Sequence, residues 1–202
     1  MITSRSKHII ILSFLVAILF ATMNCNKSNP VANNYASGEI IPLKVGNTWV
    51  WQISNYDTSG AISSTTFDSV WVSQDTIVDG QKFFLLWEQY KQSDGTISQL
   101  ASSFFARNSS SGFSRRDGSQ ETVIYNYPYK NGDSTVIGSN VSITLTSGTT
   151  YICIVYQTPA GSYFANGRLQ TLFEKSYICP NIGIVKKEIA NSIWVLTRSI
   201  LY

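Results

Sequence analysis

The chain contains a single histidine, His8, and it lies in an N-terminal stretch that reads as an export signal. The remainder has no imidazole for a Ser-His-Asp triad, for a general base near neutral pH or for a metal site. Serine hydrolases of that type, papain-like cysteine enzymes and histidine-ligated zinc enzymes are thereby excluded. Carboxylate chemistry survives, because a glycosidase needs only two Asp or Glu side chains flanking the scissile bond, about 5 to 10 Å apart. Asp79, Asp94 and Asp117 precede glycines and Asp133 follows one, where Asp is favoured for bonding to its own turn. Glu88 and Glu174 differ, since each falls in a run that reads as a strand, in phase with Leu86 and Tyr90 or with Leu172 and Ile178. Their plainer reading is a surface position near a strand end, because large residues occupy the opposite parity too. No Gly-rich phosphate loop or EF-hand loop is present, and Asn131-Gly132-Asp133-Ser134 is a hairpin turn rather than a calcium loop. No cysteine pair has metal-ligand spacing. The sequence thus assigns no catalytic residue, no metal ligand and no cofactor.

Residues that carry no chemistry say more. Arg5 and Lys7 precede an apolar run from Ile9 to Ala21 broken only by Ser13, the charged and apolar plan of a secretory signal. The run is short for a permanent span, which takes roughly 20 apolar residues. It ends four residues before Cys25, and this placing resembles bacterial lipoprotein signals, which are cut just before a cysteine that then carries the lipid. The resemblance implies a signal over residues 1–24, lipidation at Cys25 and attachment to a membrane, here with Thr22, Met23 and Asn24 ahead of the cysteine. Residues 26–38, rich in Asn and Ser, bury too little to order themselves, so 25–41 reads as a flexible tether and 42–202 as a single domain. With Cys25 given to lipid, Cys153 and Cys179 form an even pair in an oxidising compartment. They are expected to be disulfide-bonded, with two buried free thiols as the alternative.

Composition narrows the partners. The formal charge is +3, and removal of Arg5 and Lys7 with the signal lowers it to +1. Arg115-Arg116 and Lys186-Lys187 are the dense basic spots; they read as solvated surface charge, and nothing approaches the basic stripe of a nucleic-acid binder. Charged residues make up 13% of the chain, so 28 Ser and 17 Thr supply much of the polarity, a composition that suits strands better than surface helices.

The elements themselves are short apolar or alternating runs. They span Thr48 to Ile53, Ser69 to Ser73, Lys82 to Tyr90, Ser103 to Arg107, Glu121 to Tyr127, Val141 to Thr146, Thr150 to Gln157, Leu169 to Ile178, Ile184 to Ile189 and Ile193 to Tyr202. Between them lie Asp79-Gly80, Asp94-Gly95, Asp117-Gly118, Asn131-Gly132 and Asn166-Gly167, links that fit tight hairpins. The expected class is all-β, a mostly antiparallel meander of about ten strands. Phe83 to Trp87 and Tyr151 to Tyr156 are apolar at consecutive positions, so both faces of those strands are covered. A curled sheet or half-barrel, a sandwich and a closed barrel all remain open. Trp49, Trp51, Trp71, Trp87 and Trp194 either pack a core or line a cavity for an apolar ligand or a sugar.

Pro42, Leu43, Gly46, Asn47 and Trp49 resemble the P-L-x-x-G-N-x-W opening of uncharacterised secreted proteins and lipoproteins from Bacteroidota-like bacteria. Pro180, Gly183, Val185 and Lys186 resemble their P-x-x-G-x-V-K close. The resemblance implies an exported β-rich domain akin to the curved half-barrels of outer-membrane lipoprotein carriers, and brings no functional residues with it. The leading expectation is therefore a non-catalytic envelope module, lipid-anchored at the outer membrane, that binds an apolar ligand or an envelope protein. One alternative is a carbohydrate-active enzyme using Glu88 and Glu174. Another is a small outer-membrane barrel ending on Tyr202, with Ile200 and Leu196 in phase. Arg198 on that same face weighs against it, at roughly 2 to 4 kcal/mol near the bilayer midplane, as do strands shorter than about 9 to 11 residues.

Overall fold

The computed structural model describes residues 39–99, 101–128 and 135–202. The signal segment 1–24 with His8, the lipidation candidate Cys25, the tether up to residue 38 and the turn at 131–134 lie outside the described residues.

Eleven strands form one antiparallel sheet: β1 (Thr48–Tyr56), β2 (Ile62–Val78), β3 (Gln81–Gln92), β4 (Ser102–Ser109), β5 (Gly112–Asp117), β6 (Gln120–Asn126), β7 (Val136–Thr144), β8 (Thr150–Ala165), β9 (Arg168–Cys179), β10 (Gly183–Ile189) and β11 (Ser192–Ile200). Their spatial order is β6-β5-β4-β3-β2-β1-β11-β10-β9-β8-β7. The chain therefore begins at the centre, steps outward to one edge, crosses to the other edge and steps back until β11 lies against β1. The expected all-β antiparallel meander is what forms.

One strand more is present than the sequence suggested. β5 reads Gly-Phe-Ser-Arg-Arg-Asp, with a single large apolar residue, and it is held by pairing on both sides rather than by its own pattern. β2 begins in an exposed Ser/Thr stretch and β8 runs on through Pro159. In both, ladder hydrogen bonds to a neighbour extend the strand beyond its apolar part. At 17 and 16 residues these two strands are long, so strand length no longer argues against a membrane barrel. The open edges do: β6 and β7 are the two ends of the sheet, and they do not pair. Nor is there, among the described residues, a second sheet to make a sandwich.

Side chains close the curl where the backbone does not. Tyr125 on β6 reaches over the concave face, with its hydroxyl 3.0 Å from Ser176 Oγ on β9 and its ring 5.3 Å from that of Tyr156 on β8. Tyr156 in turn donates to the carbonyl of Asn126 at 2.6 Å. The consecutive apolar run on β8 is covered on both faces as expected, since Cys153, Ile154, Val155 and Tyr156 are all buried.

The packed domain starts before Pro42. Ile40, Ile41 and Leu43 are buried in the core, and residues flanking them are bonded at two distant points. Asn108 on β4 donates to the Ile41 carbonyl at 2.7 Å, and the Asn181 amide donates to the Glu39 carbonyl at 3.1 Å. This strap crosses from one half of the sheet to the other. Asn47, 1% exposed, fastens it by donating from Nδ2 to the Pro42 carbonyl and accepting from the Tyr202 amide on Oδ1.

Candidate functional site: an aromatic cavity with buried carboxyls

The concave face is built from one parity of each strand. Across the β1–β2 pairing Trp51 stands opposite Asp68 and Trp49 opposite Val70. Val70 in turn faces Glu88 and Val72 faces Leu86 on β3, and Leu86 faces Phe104 on β4. On the other side of β1, Ile53 faces Trp194 on β11. Trp194 faces Lys187 on β10, and Lys187 faces Ser176 on β9. Alternation thus puts a row of aromatic and aliphatic groups on one face, with a few acids and one lysine set among them.

These walls enclose a cavity of about 580 Å³, with Trp49, Trp51, Trp194, Leu86, Phe104 and Phe113 among its apolar lining. That is the size range of small-molecule sites. Trp49 and Trp51 are fixed by indole N–H bonds to the carbonyls of Ile182 (2.7 Å) and Ile184 (2.9 Å). Three of the five tryptophans therefore serve the cavity. Trp71 and Trp87 sit opposite each other on β2 and β3, at the alternate parity to Val70 and Leu86.

Two polar clusters lie in the lining. In the first, Glu174 on β9 accepts from Ser176 and lies 3.5 Å from Lys187 Nζ, while the Tyr125 hydroxyl reaches its carboxylate at 3.4 Å. Lys187 also sits over the Trp194 ring, 5.1 Å from its centroid. Burial pulls the Lys187 ammonium down, but Tyr125, Glu174 and Asp68 together more than offset it and hold the group above the ordinary lysine range. Burial pushes the Tyr125 hydroxyl up.

The second cluster is Asp68 with Glu88. Asp68 is 1% exposed, and burial, reinforced by the neighbouring Glu88 carboxylate, pushes its pKa up to about 8. At neutral pH this carboxyl is largely protonated beside the Glu88 carboxylate. Tyr90 donates to Glu88 Oε1 at 3.2 Å, and burial followed by the two acids raises its hydroxyl. The Oδ1 atom of Asp68 is buried with no hydrogen-bond partner.

Glu88 and Glu174, singled out from the sequence, thus line the same cavity rather than a surface, because β3 and β9 face each other across the curl. The basic doublets are engaged by neighbours rather than free in solvent, although Arg115 stays partly exposed. Lys187 is the cation of the first cluster, Arg115 lies over Phe104 at 4.3 Å, and Arg116 lies over Phe83 and pairs with Asp79 at 3.0 Å. Sequence reasoning missed Asp68, which falls one residue before the run that begins at Ser69. It carries the same signal as Glu88, an acid in phase with Val70 and Val72. Cys153 and Cys179 are buried free thiols on the adjacent strands β8 and β9, one step beyond the paired Ile154 and Ile178. Burial, with the neighbouring Cys179, pushes the Cys153 thiol up to about 12. Among the described residues no group of three or more metal-ligating side chains converges.

No protein-family model matches the sequence, and no curated protein does. Solved structures do share its architecture. A Bacteroides fragilis protein described as exported, with a YmcC-like fold, superposes with a TM-score of 0.58 at 15% identity, over 81% of this chain and 100% of its own. The fold is similar to the YmcC-like fold. A Parabacteroides distasonis protein described as a lipoprotein superposes with a TM-score of 0.52 at 16% identity, over 81% of this chain and 99% of its own. The YmcC-like likeness spans about four-fifths of this chain and the whole of the other, and is one of fold.

Proposed function

We propose that this chain is an exported, lipid-anchored envelope protein whose curled sheet holds a ligand with a largely apolar body, without chemical turnover. The observation that carries the reading is the cavity of about 580 Å³ walled by Trp49, Trp51 and Trp194. A domain that only needed a stable core would fill that space, because protein interiors pack to crystal-like density. The N-terminal charge and apolar plan and Cys25 support export and a lipid anchor, with the outer membrane as the expected site. Titrating a medium-chain alcohol while following tryptophan emission tests the cavity. Binding should saturate in the wild type and weaken in Leu86→Trp, which takes up part of the space, with the circular dichroism spectrum of a sheet retained. A linear, unsaturable response in the wild type would sink the reading.

A carbohydrate-active enzyme is the second reading, and it has one specific observation behind it: Glu88 and Glu174 line a common cavity. Glu174, however, is engaged by Lys187, Ser176 and Tyr125, which suits an anchoring group better than a free base or nucleophile. Turnover of a glycan panel that disappears in Glu88→Gln or Glu174→Gln would favour the enzyme.

A further inference from the structure

Charges inside the cavity are unevenly matched. Glu174 has Lys187, and Arg115 at the rim has Asp117 at 3.2 Å. Outside the cavity Glu121 has Arg107, Glu188 has Lys186, Asp75 has Lys82 and Asp79 has Arg116. Asp68 and Glu88 make no ion pair among the described residues, although they are two acids side by side on a largely apolar wall. Asp68 keeps its proton to about pH 8 beside the Glu88 carboxylate, and its buried Oδ1 has nothing to accept from. Leaving a buried acceptor unsatisfied costs about 1 to 3 kcal/mol, more where charge is involved.

We propose that Asp68 and Glu88 form a binding site for the primary ammonium group of an amphiphilic ligand, whose apolar body lies against the tryptophan wall. The proposal rests on the cavity reading and names what that cavity selects. An ammonium is a compact cation with three donors. It can donate to Asp68 Oδ1 and to Glu88 while supplying the positive charge that lets Asp68 give up its proton. The exchange balances: the Asp68 proton leaves to solvent as the ammonium enters, and the cavity's net charge is unchanged. A hydroxyl group would satisfy Oδ1 but could not take the place of the Asp68 proton. A divalent cation such as calcium takes six to eight oxygen ligands, and two carboxylates on an aromatic wall do not approach that. Trp51, directly across β1 from Asp68 and locked by its bond to Ile184, gives the site a rigid apolar side.

Calorimetric titration of the full-length protein with hexylamine, hexanol and hexanoate tests this. Hexylamine should bind at least about tenfold more tightly than hexanol, and hexanoate more weakly than either. Asp68→Asn and Glu88→Gln should each erase the preference for the amine while hexanol binding persists. Asp68→Asn keeps the shape and can still donate to Glu88; Glu88→Gln gives an independent reading should the first variant fold poorly. The groups coupled to Asp68 are Glu88 and Tyr90 on β3 and Lys187 on β10, which pairs with Glu174, while Arg115 on β5 acts on Tyr90. Asp68 sheds its proton on amine binding, so affinity for hexylamine should rise with pH up to about 8 and be flat for hexanol. Equal or tighter binding of hexanol, or an amine preference that survives both variants, overturns the proposal. So does calcium binding that the variants abolish, with no amine binding. If none of the three hexyl compounds binds, the cavity reading falls with it; if hexanol alone binds, only the ammonium site falls.

Discussion

The indole N–H of Trp49 donates to the carbonyl of Ile182, joining residues 133 positions apart at 2.7 Å. Gly183, the next residue, has φ +98°, and a Cβ built on it would stand 3.3 Å from that same indole nitrogen. The opening Gly46-Asn47-x-Trp49 and the closing Pro180-x-x-Gly183 segments therefore meet in one contact. Trp49→Phe keeps a ring but leaves the carbonyl without its donor, and should cost about 2 kcal/mol. Gly183→Ala should cost about 1 kcal/mol or more, through its left-handed backbone and the approach to Trp49. Chemical denaturation checks both, and unchanged midpoints would show that the contact holds nothing.

Asp68 makes stability depend on pH in an unusual direction. Its folded pKa, about 8, lies above the ordinary aspartate value, so the folded protein keeps a proton that the unfolded chain releases. The contribution is fully present below about pH 4 and is lost as pH rises toward 8, by at most about 1.4 kcal/mol per unit. Asp68→Asn, which cannot ionise, should be more stable than the wild type at pH 8 and should narrow that lead at pH 5. Parallel wild-type and variant profiles across this window would contradict the assignment.

Export would place Cys153 and Cys179 in an oxidising compartment, where a disulfide between them is expected. The two lie on neighbouring strands, one step past the Ile154–Ile178 pair, where cross-strand Cα spacings of about 4.5 to 5.5 Å suit a bridge. The Cys153 thiol, pushed up to about 12, is a poor nucleophile once buried. Oxidation should therefore occur before β8 and β9 are packed, and the folded dithiol should resist alkylation. Denaturing alkylation without reduction should leave both cysteines of the secreted protein unmodified. Two alkylated thiols would make them core hydrophobes.

Cys25→Ala should release the protein from the membrane fraction. Retention of the variant would point to an uncleaved apolar anchor instead of a lipid.

The fold was legible where pattern and pairing agree. Alternation in Trp49, Trp51 and Ile53, and Asn-Gly or Asp-Gly links between runs, announced an antiparallel meander. β5 was illegible because its two arginines are held by neighbours: Arg115 by Phe104, and Arg116 by Phe83 and Asp79. Curl is a collective property of eleven paired strands, and no local window contains it. For the same reason Glu88 and Glu174 were visible as acids in strands, but the single cavity they share was not. Lys187 looked like half of a surface doublet, yet strand alternation sends Lys186 and Lys187 to opposite faces, and only the latter meets Glu174.

The pairing of β1 with β11 bears on how the molecule comes into being. Thr48 faces Ile200, so the strand at the middle of the sheet waits for its second neighbour until the far end of the chain exists. A polypeptide delivered amino-terminus first can assemble β1 to β6 as local hairpins, but one side of β1 stays bare throughout. Such a high contact order makes closure of the central seam slow. An unprotected, tryptophan-bearing strand in the interim is an invitation to aggregation. Loss of even the last strand by premature termination would thus unseat the middle of the molecule rather than fray its margin.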